Sequence, residues 1–172
     1  VVLTQKDVRE VQLAKAAIRA GIELLAENSA VLADVVSSGA GNEVDPEQIL
    51  LWDPDVLIFA PDSCYEDVAA SEQWQSAGAV IRGEYYKTPT GPYGWLSSPP
   101  AVQRYLGMLW LGEVLYPGYA EYDLQEKVTE YYKLFYHHDL TQEQYTALMQ
   151  NSLLNQIQYF YRFTSYRSSY LL

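Results

Sequence analysis

The stretch V-D-P-E-Q-I-L-L-W-D-P-D-V-L-I-F-A-P, residues 44–61, predicts a short helix followed by a buried strand. Asp45 can cap a helix that begins at the following proline, because its carboxylate accepts from N–H groups of the first turn. Asp53 precedes Pro54, whose ring disfavours the helical conformation of the residue before it, so the helix ends there. The run 56–60 is apolar without alternation, which is typical of a strand buried on both faces of a parallel sheet. This stretch therefore predicts one half of a βαβ layer.

The composition narrows the possible partners of the chain. Its 172 residues are enough for one domain with a substantial core. The formal net charge of -11 and the sequence pI near 4.5 argue against a nucleic-acid partner, because phosphate backbones are bound by clustered Lys and Arg. One cysteine, Cys64, excludes an internal disulfide and a Cys-rich metal site. No histidine or cationic setting is evident beside it in the sequence, so we expect a buried, inert thiol. No apolar run approaches the roughly 18 residues that a spanning helix needs, and the first residues lack the features of a signal peptide.

Hydrophobic spacing predicts the remaining elements. Apolar residues at steps of three and four predict helices, and a glycine turn precedes a predicted strand. The predicted helices cover residues 4–27, 66–75, 98–116, 124–135 and a last one capped by Thr141 and Gln144, and the strand covers 85–87. The adjacent histidines His137 and His138 lack the i, i+4 spacing of a zinc site, which favours a loop or a helix terminus over metal binding. The tail 151–172 fits a strand and a helix equally well.

Two loops are predicted to face a ligand, because ligands of open α/β sheets sit at the carboxyl ends of the strands. One loop follows the buried strand at 62–65, and the other is the Pro- and Gly-rich segment 88–98. Tyr93 and Trp95 on the second loop suit the lining of a cleft, although packing back on the domain is the alternative. Arg104 lies near this loop if the chain doubles back, where it could meet an anionic oxygen, or it is simply solvated or ion-paired.

The sequence favours a binding protein over an enzyme. No pair of carboxylates, Ser-His-Asp set or metal-ligand cluster stands out, so we predict no catalytic residue, no metal and no cofactor. A small α/β enzyme that uses a nucleotide or metal cofactor is one alternative, but the glycine-containing stretch 37–42 does not match G-x-G-x-x-G. The other alternative is a protein-interaction module that uses its tyrosine-rich surface, since the chain contains 16 Tyr.

The order of motifs resembles a known family. The segment D-P-E-Q-I-L-L-W-D-P-D-V-L-I-F covers 45–59, R-G-E-Y-Y covers 82–86, a Pro-Gly-Trp loop follows, and a helix ends in L-Y-P at 115–117. Together these motifs resemble the C-terminal lobe of the solute-binding proteins that serve ABC importers of iron-siderophore, haem and cobalamin. The resemblance covers roughly residues 39–145.

The resemblance implies a fold and a domain organisation. The expected fold is an α/β, Rossmann-like three-layer lobe, with a short, mostly parallel sheet and flanking helices, preceded by a long helix. The chain would divide into a connecting helical region at 1–38, a C-terminal ligand-binding lobe at 39–150 and an aromatic tail at 151–172. A full member has two lobes and nearly twice this length, so the chain would be either a C-terminal portion or a shortened relative.

The resemblance also implies a function without enzymatic activity. The protein would bind an iron chelate, such as a ferric siderophore, or a related metal macrocycle outside the cytoplasm, and would deliver it to an ABC permease. Contact with the membrane would come only through the permease or a lipid anchor. The ligand-facing residues transferred by position are Ser63, Tyr65, Thr90, Tyr93, Trp95 and Arg104. Aromatic rings can pack on a planar macrocycle, and an arginine can neutralise an anionic chelate.

Overall fold

The structure of the protein is a computed structural model that describes residues 45–96 and 102–153, together with two short strands near the start of the chain. The strands are β1 (Val2–Thr4), β2 (Glu27–Asn28), β3 (Val56–Phe59) and β4 (Tyr85–Lys87). The helices are α1 (Pro46–Trp52), α2 (Glu72–Gln75), α3 (Gly78–Ile81), α4 (Arg104–Leu115), α5 (Leu124–Tyr136) and α6 (Gln142–Leu148), and a 3-10 turn covers Tyr65–Asp67.

The four strands form one sheet in the order β2-β1-β3-β4. β3 and β4 are parallel, with Leu57 opposite Tyr85 and Phe59 opposite Lys87, so their carboxyl ends lie at the same edge. This parallel pair with its flanking helices confirms the predicted α/β lobe. The sheet as a whole is mixed rather than mostly parallel, because β1 pairs antiparallel with both β2 and β3.

The apolar run of β3 is buried on both faces, as predicted. Val56 and Ile58 belong to one hydrophobic cluster, which includes residues of α4 and α5. Leu57 and Phe59 belong to a second cluster, which includes residues of α3 and is joined by part of α1. Because successive side chains of a strand point to opposite faces, β3 separates the two halves of the core.

The ends of α1 confirm the local signals around it. The Asp45 carboxylate accepts a hydrogen bond of 2.8 Å from the Glu47 backbone N–H, and proline occupies the first helical position. Asp53 adopts a left-handed conformation with φ 40° and ends the helix directly before Pro54. A cap and a proline therefore set both boundaries of α1.

Three predicted helices differ from the structure. The helix predicted over 4–27 lies mainly outside the described residues, and both of its end residues belong to strands. The 66–75 helix is replaced by the 3-10 turn and the shorter α2, with an irregular stretch between them. The helix predicted to start at Ser98 corresponds to α4, which begins at Arg104. Arg104 therefore lies in the first turn of the helix, whereas the predicted start would place it in the second. The segment 97–101 lies outside the described residues.

The tail and the domain limits stay largely untested. Of the predicted tail, the structure describes only residues 151–153, which belong to the turn after α6. The predicted limits of the three regions therefore remain predictions, although β1 and β2 show that the region 1–38 contributes strands to the sheet. Among the described residues, no helix has both the length and the apolar character required to cross a bilayer.

The turn that follows α6 is bonded to the carboxyl end of β4. The Lys87 backbone N–H donates to the Asn151 carbonyl over 2.8 Å, and the Ser152 hydroxyl donates to the Lys87 carbonyl over 2.6 Å. Trp110 of α4 donates from its indole Nε1 to the Ser152 carbonyl at 2.6 Å. These bonds hold the end of α6 against the edge of the sheet where β3 and β4 finish.

Candidate functional site

A cleft of about 250 Å³ opens at the carboxyl end of β4, beside the end of β3. One wall comes from the end of β4 and the loop after it, and the other comes from the end of α6 and its following turn. The described residues that line it are Glu66, Lys87, Thr88, Pro89, Thr90, Ala147, Leu148, Gln150, Asn151 and Ser152. This is the edge at which the sequence predicts a ligand, because carboxyl ends of parallel strands leave a crevice there.

An ion pair between Lys87 and Glu66 lies in this cleft. The Lys87 ammonium is 2.8 Å from the Glu66 carboxylate and 5.9 Å from the centroid of the Tyr65 ring. The Lys87 side chain is 26% exposed and the Glu66 side chain 66% exposed, so the cation is the better-shielded partner. The last residue of β4 thus places a positive charge at the mouth of the cleft.

Tyr65 supports this lysine from the 3-10 turn after β3. Its ring packs edge-on against Phe59 with centroids 5.8 Å apart and lies 5.5 Å from the Tyr85 ring. Burial raises the pKa of Tyr65 to about 12, with smaller contributions from Tyr85 and the negative Glu66. The phenol is therefore protonated at neutral pH and remains a hydrogen-bond donor.

The polar side chains of the cleft fall into two groups. Thr88 donates to the Phe59 carbonyl over 2.9 Å, and Ser152 donates to the Lys87 carbonyl, so both hydroxyls are used within the fold. The side chains of Thr90, Gln150 and Asn151 make no hydrogen bond within the described part of the chain. These three side chains are the groups that can bond a ligand without breaking an internal contact.

The loop after β4 is folded on itself. Thr90 and Gly94 form an isolated antiparallel bridge, and the Gly91 N–H donates to the Tyr93 carbonyl over 3.0 Å. The Gly91 carbonyl accepts a hydrogen bond from the Tyr132 hydroxyl of α5, and a Cβ on Gly91 would lie 3.1 Å from a Leu148 methyl group. This close packing fixes the loop beside the cleft and leaves the Tyr93 side chain 51% exposed.

Trp95 does not line an open cleft, and the expectation that it does is wrong. Its side chain is 0% exposed and belongs to the cluster that contains Trp110. The Trp95 backbone N–H donates to the Pro89 carbonyl. The Trp95 carbonyl oxygen packs so closely on Gly107 of α4 that a Cβ on this glycine would lie 2.4 Å from it. Because this glycine admits the loop backbone so closely, the indole is directed into the core.

The other predicted residues lie at different distances from the cleft. Thr90 lines it, and Tyr65 borders it through its contact with Lys87. The Ser63 hydroxyl donates to the Ala60 carbonyl over 2.6 Å and so closes the turn after β3. Arg104 is exposed at the start of α4 and is not among the described residues that line the cleft. The ligand-binding roles of these residues remain predictions.

Two further sequence expectations concern residues outside the cleft. Cys64, expected to be a buried thiol, is exposed in the turn after β3. His137 adopts a left-handed conformation with φ 51° and ends α5, which confirms its predicted place at a helix terminus. Within the described ranges, no group of three or more His, Cys, Asp or Glu side chains is arranged to hold a metal ion.

Four lining residues that the sequence did not indicate are charged or have a polar side chain without a hydrogen bond in the described part of the chain, namely Glu66, Lys87, Gln150 and Asn151. Lys87 could have been found, because it is the last residue of a predicted strand and therefore lies at the ligand edge of the sheet. Gln150 and Asn151 carry no such signal. They reach the cleft only because the turn after α6 is bonded to β4.

Comparison with solved structures finds similar folds, including those of two solute-binding proteins. The chain is similar to an ABC transporter solute-binding protein from Sulfurospirillum deleyianum, with 29% identity and a TM-score of 0.63 over 87% of this chain. It is also similar to a periplasmic solute-binding protein from Veillonella parvula, with 30% identity and a TM-score of 0.57 over 67% of this chain. The chain spans 44% and 37% of the lengths of these two proteins. No protein-family model matches the chain, and no curated protein matches it either.

Proposed function

We propose that this chain is a ligand-binding lobe of the solute-binding component of an ABC importer, acting outside the cytoplasm. The likeness to two solute-binding proteins, at 29% and 30% identity, is the observation that carries the proposal. The cleft at the carboxyl edge of β3 and β4 supports it, because a carrier needs a ligand site and this edge is where α/β sheets provide one.

The proposed ligand is an iron chelate, such as a ferric siderophore or haem. A cleft of about 250 Å³ is smaller than the roughly 300–1,000 Å³ typical of pockets for drug-sized ligands. It would therefore take one arm of a chelate, and the remainder would extend over the adjacent loop, where Tyr93 offers an exposed ring. Thr90 is the predicted ligand-facing residue best placed to bond that arm.

The proposed partners follow from the same assignment. A solute-binding component passes its ligand to a permease, so we propose an ABC permease as the protein partner and no contact of this lobe with nucleic acid. The membrane would be reached through the permease or a lipid anchor. No enzymatic role is proposed, since a carrier binds and releases its ligand unchanged.

Isothermal titration tests the proposal directly. We expect the purified chain to bind one of four probes, namely ferric citrate, ferrichrome, haem or cobalamin, and to melt at a higher temperature when that probe is present. The iron-free chelators and the metal-free porphyrin are the controls. Absence of binding to every probe, or stabilisation by nucleotides instead, would count against a carrier.

A matched pair of variants locates the site. Thr90→Val removes a hydroxyl from the cleft wall, whereas Thr129→Val makes the same change on α5, among residues that do not line the cleft. We expect the first variant to bind the selected probe more weakly, and the second to bind it as the wild type does. Equal affinities for both variants would place the ligand elsewhere on the molecule.

A further inference from the structure

Lys87 supplies the positive charge among the described residues that line the cleft, and Glu66 supplies the negative charge. The chain carries a formal net charge of -11, so an anionic ligand is repelled by the molecule as a whole. A local cation would have to offset this repulsion at the binding site. Lys87 is in the position to do so, whereas Arg104 is outside the cleft lining.

The structure holds the lysine firmly and its partner loosely. Both backbone groups of Lys87 are bonded to the turn after α6, at Asn151 and Ser152, and the backbone N–H of the next residue, Thr88, donates to the Phe59 carbonyl of β3. Its ammonium also lies over the Tyr65 ring, which attracts a cation through its π-electrons. The Glu66 side chain is mostly exposed, and an ion pair this accessible to water is weak. The carboxylate can therefore leave while the ammonium stays.

We infer that Lys87 selects ligands that carry an anionic oxygen, and that Glu66 is an internal competitor which such a ligand displaces. This inference rests on the proposed function and specifies the class of chelate. An incoming carboxylate or catecholate oxygen takes the place of the Glu66 carboxylate at the Lys87 ammonium, and the displaced carboxylate returns to water. The exchange keeps the lysine paired throughout, which avoids leaving a charge without a partner.

The unused polar groups of the cleft fit the same class of ligand. Thr90, Gln150 and Asn151 lie around Lys87 and have no internal hydrogen bond within the described residues. Their amide and hydroxyl groups can donate to several oxygen atoms of one ligand arm at once. A chelate rich in carboxylate or hydroxyl oxygens uses all of them, whereas an apolar arm would leave them unpaired.

Titrations with chelates of different charge test the inference. The probes are ferric citrate, which is anionic, and ferrichrome, which is neutral. We expect the wild type to prefer ferric citrate, and Lys87→Gln to lose at least about tenfold in affinity for it, the value of one charge-assisted hydrogen bond. Lys87→Arg should retain most of the affinity, and Glu66→Gln should bind ferric citrate a few-fold more tightly (~2–5-fold), since it removes only a weak competitor.

Lys133→Gln is the matched control. Lys133 forms an exposed ion pair of 3.0 Å with Asp139 and does not line the cleft, so this variant makes the same change of net charge elsewhere. It should bind ferric citrate nearly as the wild type does. Thermal melts of all variants check that each is folded, and Glu66→Gln tests the idea by a gain of affinity, which misfolding does not produce.

The outcomes separate the inference from the proposed function. If ferric citrate binds equally to wild type, Lys87→Gln and Glu66→Gln, the role of Lys87 is wrong and the carrier assignment stands. A wild type that binds ferrichrome more tightly than ferric citrate would also contradict the role of Lys87 and leave the carrier assignment in place. If the wild type binds neither these probes nor haem nor cobalamin, both proposals fail together.

Discussion

Tyr93 and Trp95 lie two residues apart on one loop, yet their side chains have opposite surroundings. Tyr93 is 51% exposed beside the cleft, whereas Trp95 is fully buried among the residues of α4 and α5. The backbone hydrogen bond from Trp95 to Pro89 and the close approach to Gly107 turn the second ring inward. At the scale of single residues, one aromatic is available to a ligand and the other stabilises the fold.

Substituting each of these residues by alanine should separate the two roles. Trp95→Ala removes a large buried side chain and leaves a cavity in the core, so we expect the free energy of unfolding of this variant to fall by about 3–5 kcal/mol. Tyr93→Ala should change it by less than about 1 kcal/mol, because half of that side chain is already in water. Urea unfolding followed by circular dichroism measures both values. Similar losses in the two variants would contradict the burial that the structure shows.

Glu113 on α4 gives a prediction that depends on pH. It is partly buried, and this burial, followed by the negative charge of Asp123, raises the pKa of its carboxyl group above the ordinary value. An acid with a raised pKa in the folded state binds its proton more tightly there than in the unfolded chain. Its ionisation therefore costs stability, and the full cost is present once the pH exceeds the folded-state pKa.

Glu113→Gln removes that cost. We expect the variant to be more stable than the wild type at pH 7, and the difference to shrink as the pH falls towards the unfolded-state pKa of about 4. Urea unfolding of both proteins at pH 7 and pH 4 provides the comparison. A difference that stays constant between the two pH values would show that the burial of charge is not its cause.

Helix α6 forms one wall of the cleft, and its N-terminus is fixed by a capping box. The Gln144 N–H donates to the Thr141 hydroxyl over 3.3 Å, and the Thr141 N–H donates to the Gln144 side-chain oxygen over 2.9 Å. Two N–H groups that have no partner inside the helix are satisfied in this way. At the scale of elements, this cap and the bonds between the following turn and β4 position the cleft wall from both ends.

Substituting two threonines of this segment by alanine should affect the stability of the protein differently. Thr141→Ala removes the cap and should lower the free energy of unfolding by about 0.5–2 kcal/mol. Thr146 lies within the helix, and its hydroxyl donates only to the Gln142 carbonyl. We therefore expect Thr146→Ala to leave the free energy of unfolding unchanged or to raise it slightly, because alanine has the higher helix propensity. Chemical denaturation of the two variants tests the pair. If Thr146→Ala lowered the free energy of unfolding as much as Thr141→Ala does, the loss at Thr141 could not be attributed to the cap.

The elements that the sequence predicted are those whose signals are local. The cap of α1, the left-handed Asp53 before Pro54 and the capping box of α6 each depend on residues within four positions of one another. Thr90, which lines the cleft, is indicated by the family resemblance and not by a local signal. The cleft wall formed by Gln150 and Asn151 could not be predicted, because it depends on hydrogen bonds to a strand far earlier in the chain.

The prediction that Trp95 lines a cleft is wrong for the same physical reason. In the sequence alone, a glycine-containing loop with two aromatics favours the lining of a cleft, with packing on the domain as the alternative. The glycine that decides between them, Gly107, lies on a different element and admits the loop backbone only in the assembled fold. Local patterns therefore predicted helix caps and the buried strand β3 more reliably than the environment of single side chains.

At the scale of the molecule, β3 contributes to both hydrophobic clusters that the described residues form. Ile58 packs in the cluster that contains Trp110, and Phe59 packs in the other cluster, with its ring 5.6 Å from that of Trp74. Opening either cluster would expose one face of β3 and weaken the pairing on which the other cluster depends. The two halves of the core should therefore unfold together, as they do in small cooperative domains.

Fluorine NMR can observe both halves in one sample. With 5-fluorotryptophan incorporated throughout, the resonance of Trp74 reports one cluster and that of Trp110 reports the other, and tryptophan-to-phenylalanine variants assign the signals. We expect the two native resonances to lose intensity at the same urea concentration, because neither cluster is stable without a fully paired β3. If the Trp74 signal disappears at a clearly lower concentration, the cluster beside α3 unfolds by itself, and β3 does not couple the two faces of the sheet.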